Sequence, residues 1–308
     1  MKQSIPRKLI DIFFYGNLFA GLCAVALCIE TSVQHKLKLN GIHFYTLVFF
    51  GTVYYYTFLY LKAVPATDYN ERVAWYRVKY SVLKKTQNII LIFLLADAFF
   101  FVWKYHESFA TLNSHKYGLI LLFPLIALTY TYNILPLPSR TKLRRIGWLK
   151  PFVIGFVWSG IVTVYPIIFY QIQVGSHVEI FSLPSGWLWL KNLMFISTLC
   201  IMFDIKDYED DRTHGLKTYS VQFGTNNTIR YIIIPLVLIG IFSFLMFTIH
   251  KGFPAFRIAM NLVPYLLLIV SAYSLLHKKR SIIYYLFFID GLMVLKAICG
   301  VAGTLLIK

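Results

Sequence analysis

The segment that follows the sixth apolar stretch of this 308-residue chain is unusually acidic. Five of the thirteen acidic residues fall within eight positions, at Asp204, Asp207, Glu209, Asp210 and Asp211. On a helix with about 100° per residue, Asp204, Asp207 and Asp211 lie within about 60° of one another. Carboxylates that close repel unless a cation lies between them, and Mg²⁺ favours one or two carboxylates together with phosphate oxygens. The spacing therefore predicts a Mg²⁺ site for a diphosphate, with a solvated acidic loop as the alternative.

A basic connection lies ahead of the fifth apolar stretch. Two prolines in it exclude a continuous helix, and four cations follow within six positions, at Arg140, Lys142, Arg144 and Arg145. Such cations either contact anionic lipid headgroups or bind diphosphate oxygens, for which the guanidinium fork is well suited. Because the acidic segment is predicted on the same side of the membrane, we favour a phosphate pocket.

A third polar connection lies between the second and third apolar stretches. It offers Asp68, Asn70 and Glu71 as oxygen ligands just beyond Pro65. Asp68 and Glu71 are three positions apart and would share a helical face, but no further carboxylate extends the pattern. We therefore expect at most a weak metal site here.

The composition is that of an integral membrane protein. Hydrophobic residues make up 58% of the chain and charged residues only 14%, whereas an average globular domain has about 25% charged residues. The apolar residues form nine stretches of the length that crosses a bilayer: 9–29, 43–63, 88–104, 117–134, 148–170, 185–203, 229–249, 258–277 and 282–307. The sequence predicts an all-α, single-domain, multi-pass membrane protein over 1–308, whose nine helices surround a central cavity that opens to the cytoplasmic loops.

The basic residues are distributed unequally between the two sides of this bundle. The N-terminus and the connections after the even-numbered stretches hold 19 Lys and Arg residues, counting Lys150 at its boundary, and the opposite connections hold 7. This bias predicts a cytoplasmic N-terminus and explains the net charge of +17 without nucleic acid, which we do not expect as a partner. Asp97 lies inside the third stretch, where a carboxylate is costly; a structural hydrogen bond to a neighbouring helix and a substrate role are both open.

In these residues the chain resembles the UbiA superfamily of intramembrane prenyltransferases. The strongest similarity is to its second aspartate-rich motif, and it runs through Asp204-x-x-Asp207-x-x-x-Asp211, Gly215-x-Lys217-Thr218 and Phe223-Gly224. The stretch 130–156 is similar to the family's fourth-span exit, basic loop and fifth-span start, and nine spans agree over the whole chain.

The first motif of the family, NDxxDxxxD, is matched only at its opening. Asn70 and Glu71 stand for the Asn-Asp pair, but Ala74 and Val78 occupy the positions of the second and third carboxylates. In the family the two motifs hold Mg²⁺ against the prenyl diphosphate from opposite sides. This chain keeps one complete side and part of the other.

The resemblance implies Mg²⁺-dependent transfer of a polyprenyl group from its diphosphate to a lipophilic acceptor, aromatic or similar to a quinone precursor, in contact with membrane lipid. The implied metal ligands are Asp204, Asp207, Asp211 and Glu71. The implied catalytic residues are Asp207, Asp211 and Lys142, and the implied diphosphate-binding residues are Arg140, Lys217 and Asn70. The alternative is a catalytically impaired relative that binds an isoprenoid diphosphate or lipid without transfer, which the missing carboxylates favour.

Overall fold

The computed structural model describes residues 5–64, 71–132, 146–175, 179–180, 182–277 and 280–306. Within these ranges the regular structure is helical, without strands. The first seven helices are α1 (Ile5–Tyr15), α2 (Leu18–Gln34), α3 (Ile42–Ala63), α4 (Glu71–Val78), α5 (Tyr80–Lys104), α6 (His106–Ala110) and α7 (Ser114–Tyr132). The remaining seven are α8 (Lys150–Val174), α9 (Leu183–Lys206), α10 (Tyr208–Thr213), α11 (Tyr219–Phe223), α12 (Thr225–His250), α13 (Ala255–His277) and α14 (Ile282–Leu305).

Seven of the described helices are long and apolar enough to cross a membrane: α3, α5, α8, α9, α12, α13 and α14. The bent pair of α1 and α2, at 54° to each other, adds an eighth if it forms one span. The helix α7 coincides with the predicted fourth stretch but contains Pro124 and is not among the seven. The chain is therefore an all-helical, multi-pass membrane protein, while the predicted count of nine spans is not confirmed. The cytoplasmic location of the N-terminus stays a prediction.

The first predicted span is broken near its N-terminal end. Asn17 has left-handed backbone angles (φ 64°, ψ 12°) between α1 and α2. Its side chain and the carbonyl oxygen of Tyr15 accept hydrogen bonds from Arg72, which is buried in α4. The bend is thus held by a polar cluster that joins α4 to the start of the chain.

The middle of the bundle is formed by α2, α8 and α9. In the parts of α8 and α9 long enough to cross the membrane, 61% and 56% of the residues are buried. The corresponding share is 11% for α5, which lies at the periphery. A β-carbon at Gly155 would lie 2.2 Å from the hydroxyl oxygen of Ser197, so glycine allows α8 and α9 to approach closely. Small residues at such contacts are typical of membrane helices.

A π-helical turn interrupts α8 at Gly160–Val164. The hydroxyl group of Thr31 in α2 donates to the carbonyl oxygen of Val162 at 2.7 Å. This carbonyl has no donor four residues on, because Pro166 lacks an N–H. This hydrogen bond fixes α8 against α2 near the bundle centre.

Two predictions about the second and third spans change in the structure. The predicted connection 64–87 is partly helical, because α4 occupies Glu71–Val78 and α5 begins at Tyr80, eight residues before the predicted third span. Asp97 in α5 accepts hydrogen bonds from Thr46 and His43 of α3, each at 2.6 Å. Of the two open interpretations of Asp97, these contacts favour the structural one.

Candidate functional site

The acidic segment begins inside α9 and continues past its end. The helix ends at Lys206, Asp207 adopts a non-helical φ of −90° and ψ of 12°, and α10 then begins at Tyr208. The prediction that Asp204, Asp207 and Asp211 share one continuous helix was therefore wrong. The chain bends at Asp207, and the side chains are brought together by tertiary contacts instead.

Lys150 is the cation at the centre of this acidic group. Its ammonium nitrogen lies 2.7 Å from Oδ1 of Asp204, whose side chain is 1% exposed. Asp211 and Asp207 also act on Lys150 electrostatically. Lys150 begins α8, the helix that packs most extensively on α9, so the close packing of the two helices sets this ion pair.

From the sequence, Lys150 is a basic residue at the boundary of the fifth predicted span and was not expected in the site. Its position at the start of a predicted span was the feature of the sequence that could have placed it near the acidic segment. A contact between residues 54 positions apart on two different helices cannot be read from a linear spacing.

The backbone around Asp211 is fixed by its neighbours. The amide of Leu216 donates to the carbonyl oxygen of Asp211 at 2.8 Å, and a β-carbon at Gly147 would lie within 2.6 Å of Lys217 and Thr218 backbone atoms. Only glycine allows this approach between the end of the basic connection and the segment that follows α10. Ser220, fully buried, donates to the carbonyl oxygen of Asp204 at 2.9 Å and ties the same segment to α9.

Two carboxylate oxygens in this group are buried without a hydrogen-bond partner. They are Oδ2 of Asp204 and Oδ2 of Asp211, on residues that are 0% and 5% exposed. A buried anionic oxygen left unpaired costs free energy, and a divalent cation would remove that cost.

The donor set fits Mg²⁺ bound together with a substrate. In the described part of the chain, no three His, Cys, Asp or Glu side chains are arranged to hold a metal on their own. Mg²⁺ usually takes one or two protein carboxylates and fills its remaining positions with water and phosphate oxygens. Asp204 and Asp211 supply that number of carboxylates.

Burial, and to a smaller extent the neighbouring carboxylates of Asp204 and Asp207, raise the pKa of Asp211 from 3.8 to about 6. Lys150 and a hydrogen bond with Thr218 act in the opposite direction. Asp211 therefore exchanges its proton near neutral pH, where a metal competes with the proton for the same oxygen.

Asp207 differs from its two neighbours. Its Oδ1 lies 2.5 Å from the ammonium nitrogen of the adjacent Lys206, and its side chain is 27% exposed. Lys217 is exposed on the segment after α10, and its carbonyl oxygen accepts a hydrogen bond from Gln222. Both residues lie next to the buried pair rather than within it.

The other predicted side of the site is open to solvent. Glu71, Ala74 and Val78 are all exposed and lie on one face of α4, whose opposite face is buried. Among the contacts of the described residues, Glu71 shares none with the three aspartates. The predicted ligands Asn70, Arg140 and Lys142 lie outside the described residues, as do 65–70 of the first predicted cytoplasmic connection and 135–145 of the second.

Comparisons with known proteins identify the family of the chain and match its fold. A model described as the UbiA prenyltransferase family matches residues 81–292. A UbiA homologue from Aeropyrum pernix K1 has a similar structure, with 15% identity, a TM-score of 0.63, and coverage of 94% of this chain and 98% of that chain.

Two further solved structures are similar over nearly their whole length. A digeranylgeranylglyceryl phosphate synthase has 16% identity, a TM-score of 0.56, and coverage of 96% of this chain and 99% of that chain. A UbiA homologue from Archaeoglobus fulgidus bound to GPP and Mg²⁺ has 14% identity, a TM-score of 0.53, and coverage of 94% and 99%. At these identities the likeness concerns the fold alone, and no curated protein matches the chain in sequence.

Proposed function

Because the chain belongs to the UbiA prenyltransferase family, we propose that it transfers a polyprenyl group from its diphosphate to a lipophilic acceptor, aromatic or similar to a quinone precursor. The observation that carries the proposal is the pair of buried, unpartnered carboxylate oxygens on Asp204 and Asp211 beside Lys150. Two such carboxylates can bind a divalent cation, and Lys150 beside them can contact an anion that the cation carries.

Mg²⁺ is the proposed cofactor, held by Asp204, Asp207 and Asp211, and when bound it would neutralise charge on the diphosphate. The structurally similar homologue from Archaeoglobus fulgidus is bound to GPP and Mg²⁺, which supports the same ligand class here. Of the three carboxylates, Asp207 is paired with Lys206 and is the most exposed. We therefore assign the larger share of metal binding to Asp204 and Asp211.

Lys150 has two effects in this arrangement. Before substrate binds, it compensates the buried charge of Asp204. With substrate bound, its charge and that of Lys217 would stabilise the negative charge that develops as the diphosphate leaves. Arg140 and Lys142, in the basic connection that ends next to Gly147, are proposed to bind the diphosphate oxygens as well.

The test is to incubate the purified chain with labelled prenyl diphosphates and a lipid extract, with and without Mg²⁺. We expect a labelled lipophilic product that depends on Mg²⁺ and disappears in Asp211→Asn. The matched control is Glu209→Gln, because Glu209 lies in the same segment but is exposed. Equal product formation with and without Mg²⁺ would contradict the proposal.

A second function is favoured by the exposed face of α4. Ala74 and Val78 carry no carboxylate on the side where the family's first motif would hold metal, so a relative that binds an isoprenoid diphosphate without transfer is the alternative. Mg²⁺-dependent binding of labelled diphosphate without product, over a range of candidate acceptors, would favour this second function.

A further inference from the structure

A cavity lies at the end of the bundle opposite the acidic group. It has a volume of about 290 Å³ and is formed where α2 and α12 end and α9 and α13 begin. Trp187 of its wall and Asp204 are seventeen residues apart on α9, so the two sites are separated by about 25 Å along the helix. This cavity is distinct from the acidic group.

Among the described residues, no carboxylate lines the cavity, whereas four cations do: Lys36, Lys191, Lys251 and Arg257. Three of them belong to the seven basic residues that the sequence places on the side predicted to face away from the cytoplasm. That side is depleted in Lys and Arg by the usual charge bias. Three of the seven cations on that side therefore line this one cavity.

Beneath the cavity, a buried ion cluster carries more positive than negative charge. Glu30 is fully buried, and its carboxylate contacts Lys296 at 2.6 Å and Lys191 at 3.8 Å. Arg257 acts electrostatically on Lys191 as well. Within the described residues, the single carboxylate of Glu30 thus contacts two lysines, and Arg257 adds a third cation close to Lys191.

The donor groups of the cavity come from separate helices. The ammonium group of Lys191 on α9 donates to Asn261 of α13 at 2.7 Å, which holds the cation at the cavity wall. The guanidinium group of Arg257 lies over the ring of Phe253 at 3.9 Å, and no described carboxylate pairs with it. A guanidinium group held flat on a ring keeps its N–H donors available for a phosphate.

Much of the remaining wall is apolar, and it reaches the outer surface of the bundle. The rings of Trp187 and Phe247 lie 5.1 Å apart, and Leu190, which also lines the cavity, is 36% exposed. We propose that the cavity binds a phospholipid whose headgroup carries a net negative charge. The phosphate would compensate the surplus charge at Lys191 and Arg257, and the acyl chain would lie along the apolar wall.

The experiment uses the purified full chain in a neutral detergent. Its melting temperature is measured during titration with phosphatidylglycerol, with phosphatidylcholine of the same chain length, and with inorganic phosphate. We expect stabilisation by phosphatidylglycerol and none by phosphatidylcholine, with about a tenfold weaker response in Arg257→Gln, since each cation near a lipid surface contributes severalfold to affinity.

Two further variants separate binding from folding. Lys36→Gln removes an exposed cation that lines the cavity and should also weaken the response, whereas Lys38→Gln removes an exposed cation of the same connection that does not line it. Stabilisation by inorganic phosphate that Arg257→Gln weakens would support the anion site and identify free phosphate as a sufficient ligand. Equal responses in Lys36→Gln, Arg257→Gln and Lys38→Gln, or equal stabilisation by phosphatidylcholine, would overturn the proposal.

Discussion

The two segments where the family carries aspartate-rich motifs have different surroundings in this protein. The second segment places Asp204 and Asp211 in buried positions beside Lys150. The first places Glu71 and Ala74 on the exposed face of α4. In the second segment the carboxylates themselves take part in the tertiary contacts, whereas in α4 the tertiary contacts come from the opposite, buried face, as at Arg72.

This difference shows how the missing carboxylates can be tolerated. A buried carboxylate needs a cation, and the second segment provides one in Lys150. On the exposed face of α4 a side chain needs no buried partner. The absence of carboxylates at Ala74 and Val78 therefore leaves no described buried charge unpaired. We therefore expect substitutions in the second segment to have the larger effects.

The largest effect is expected at Asp211. Asp211→Asn removes a buried anionic oxygen while keeping the side-chain volume, and we expect transfer or diphosphate binding to fall between a hundred- and a thousandfold. The measurement is labelled product, or labelled diphosphate retained, at saturating Mg²⁺. The same loss in Glu209→Gln, whose side chain is exposed, would show that charge in the segment matters rather than this position.

The next effect is on stability. Lys150→Met leaves Asp204 buried without its partner, which we expect to lower the free energy of unfolding by about 3 kcal/mol. Mg²⁺ should restore part of this loss, because it would compensate the same carboxylate. The measurement is unfolding of the purified protein with and without Mg²⁺.

The matched control for this variant is Lys206→Met. Its partner Asp207 is 27% exposed, so solvent screens the charge and the loss should stay below about 1 kcal/mol. Similar losses of unfolding free energy in both variants would contradict the expected difference between the buried Lys150–Asp204 pair and the more exposed Lys206–Asp207 pair.

A smaller effect is expected from pH. Because the pKa of Asp211 is raised to about 6, Mg²⁺ affinity should fall about tenfold between pH 7 and pH 5, as the proton takes the ligand oxygen. Without metal, lowering the pH is expected to stabilise the folded protein through Asp211, whereas it weakens Mg²⁺ binding. The folded state binds this proton more tightly than the unfolded state, so the contribution of Asp211 to the free energy of unfolding decreases as pH rises from about 4 to 6.

Both pH effects are measured as melting temperatures across this range, with and without Mg²⁺. In Asp211→Asn the corresponding slopes should flatten. A pH dependence of Mg²⁺ affinity that is unchanged in Asp211→Asn would assign the titration to another group.

The smallest effects are expected on α4. Glu71→Gln should lower diphosphate affinity about threefold, since it removes one solvent-screened charge. Ala74→Asp, on the same exposed face, should raise Mg²⁺ affinity if this face meets the metal. Ala74→Asn is the control of matched size without charge.

The outcome on α4 decides between the two proposed functions. If Glu71→Gln has no effect and Ala74→Asp behaves like Ala74→Asn, the first segment does not meet the metal. The function of binding without transfer would then be favoured over the enzymatic one.

The sequence by itself determined the class of fold and the position of the acidic segment. Long apolar stretches have one stable solution in a bilayer, because every backbone polar group must be satisfied internally. The start and end of the well-separated helices could therefore be predicted closely, as for α3 at Ile42–Ala63 against the predicted 43–63. The cluster of acids at Asp204–Asp211 is likewise a property of composition and spacing alone.

Only the tertiary structure decided how these acids are arranged and which cation meets them. The bend at Asp207 replaces the predicted single helical face, and Lys150 reaches Asp204 because Gly155 lets α8 and α9 approach closely. The surplus cations around Glu30 come from α9 and α14, far from α2 in sequence. Such contacts depend on the relative placement of distant helices, which periodicity and local spacing do not encode.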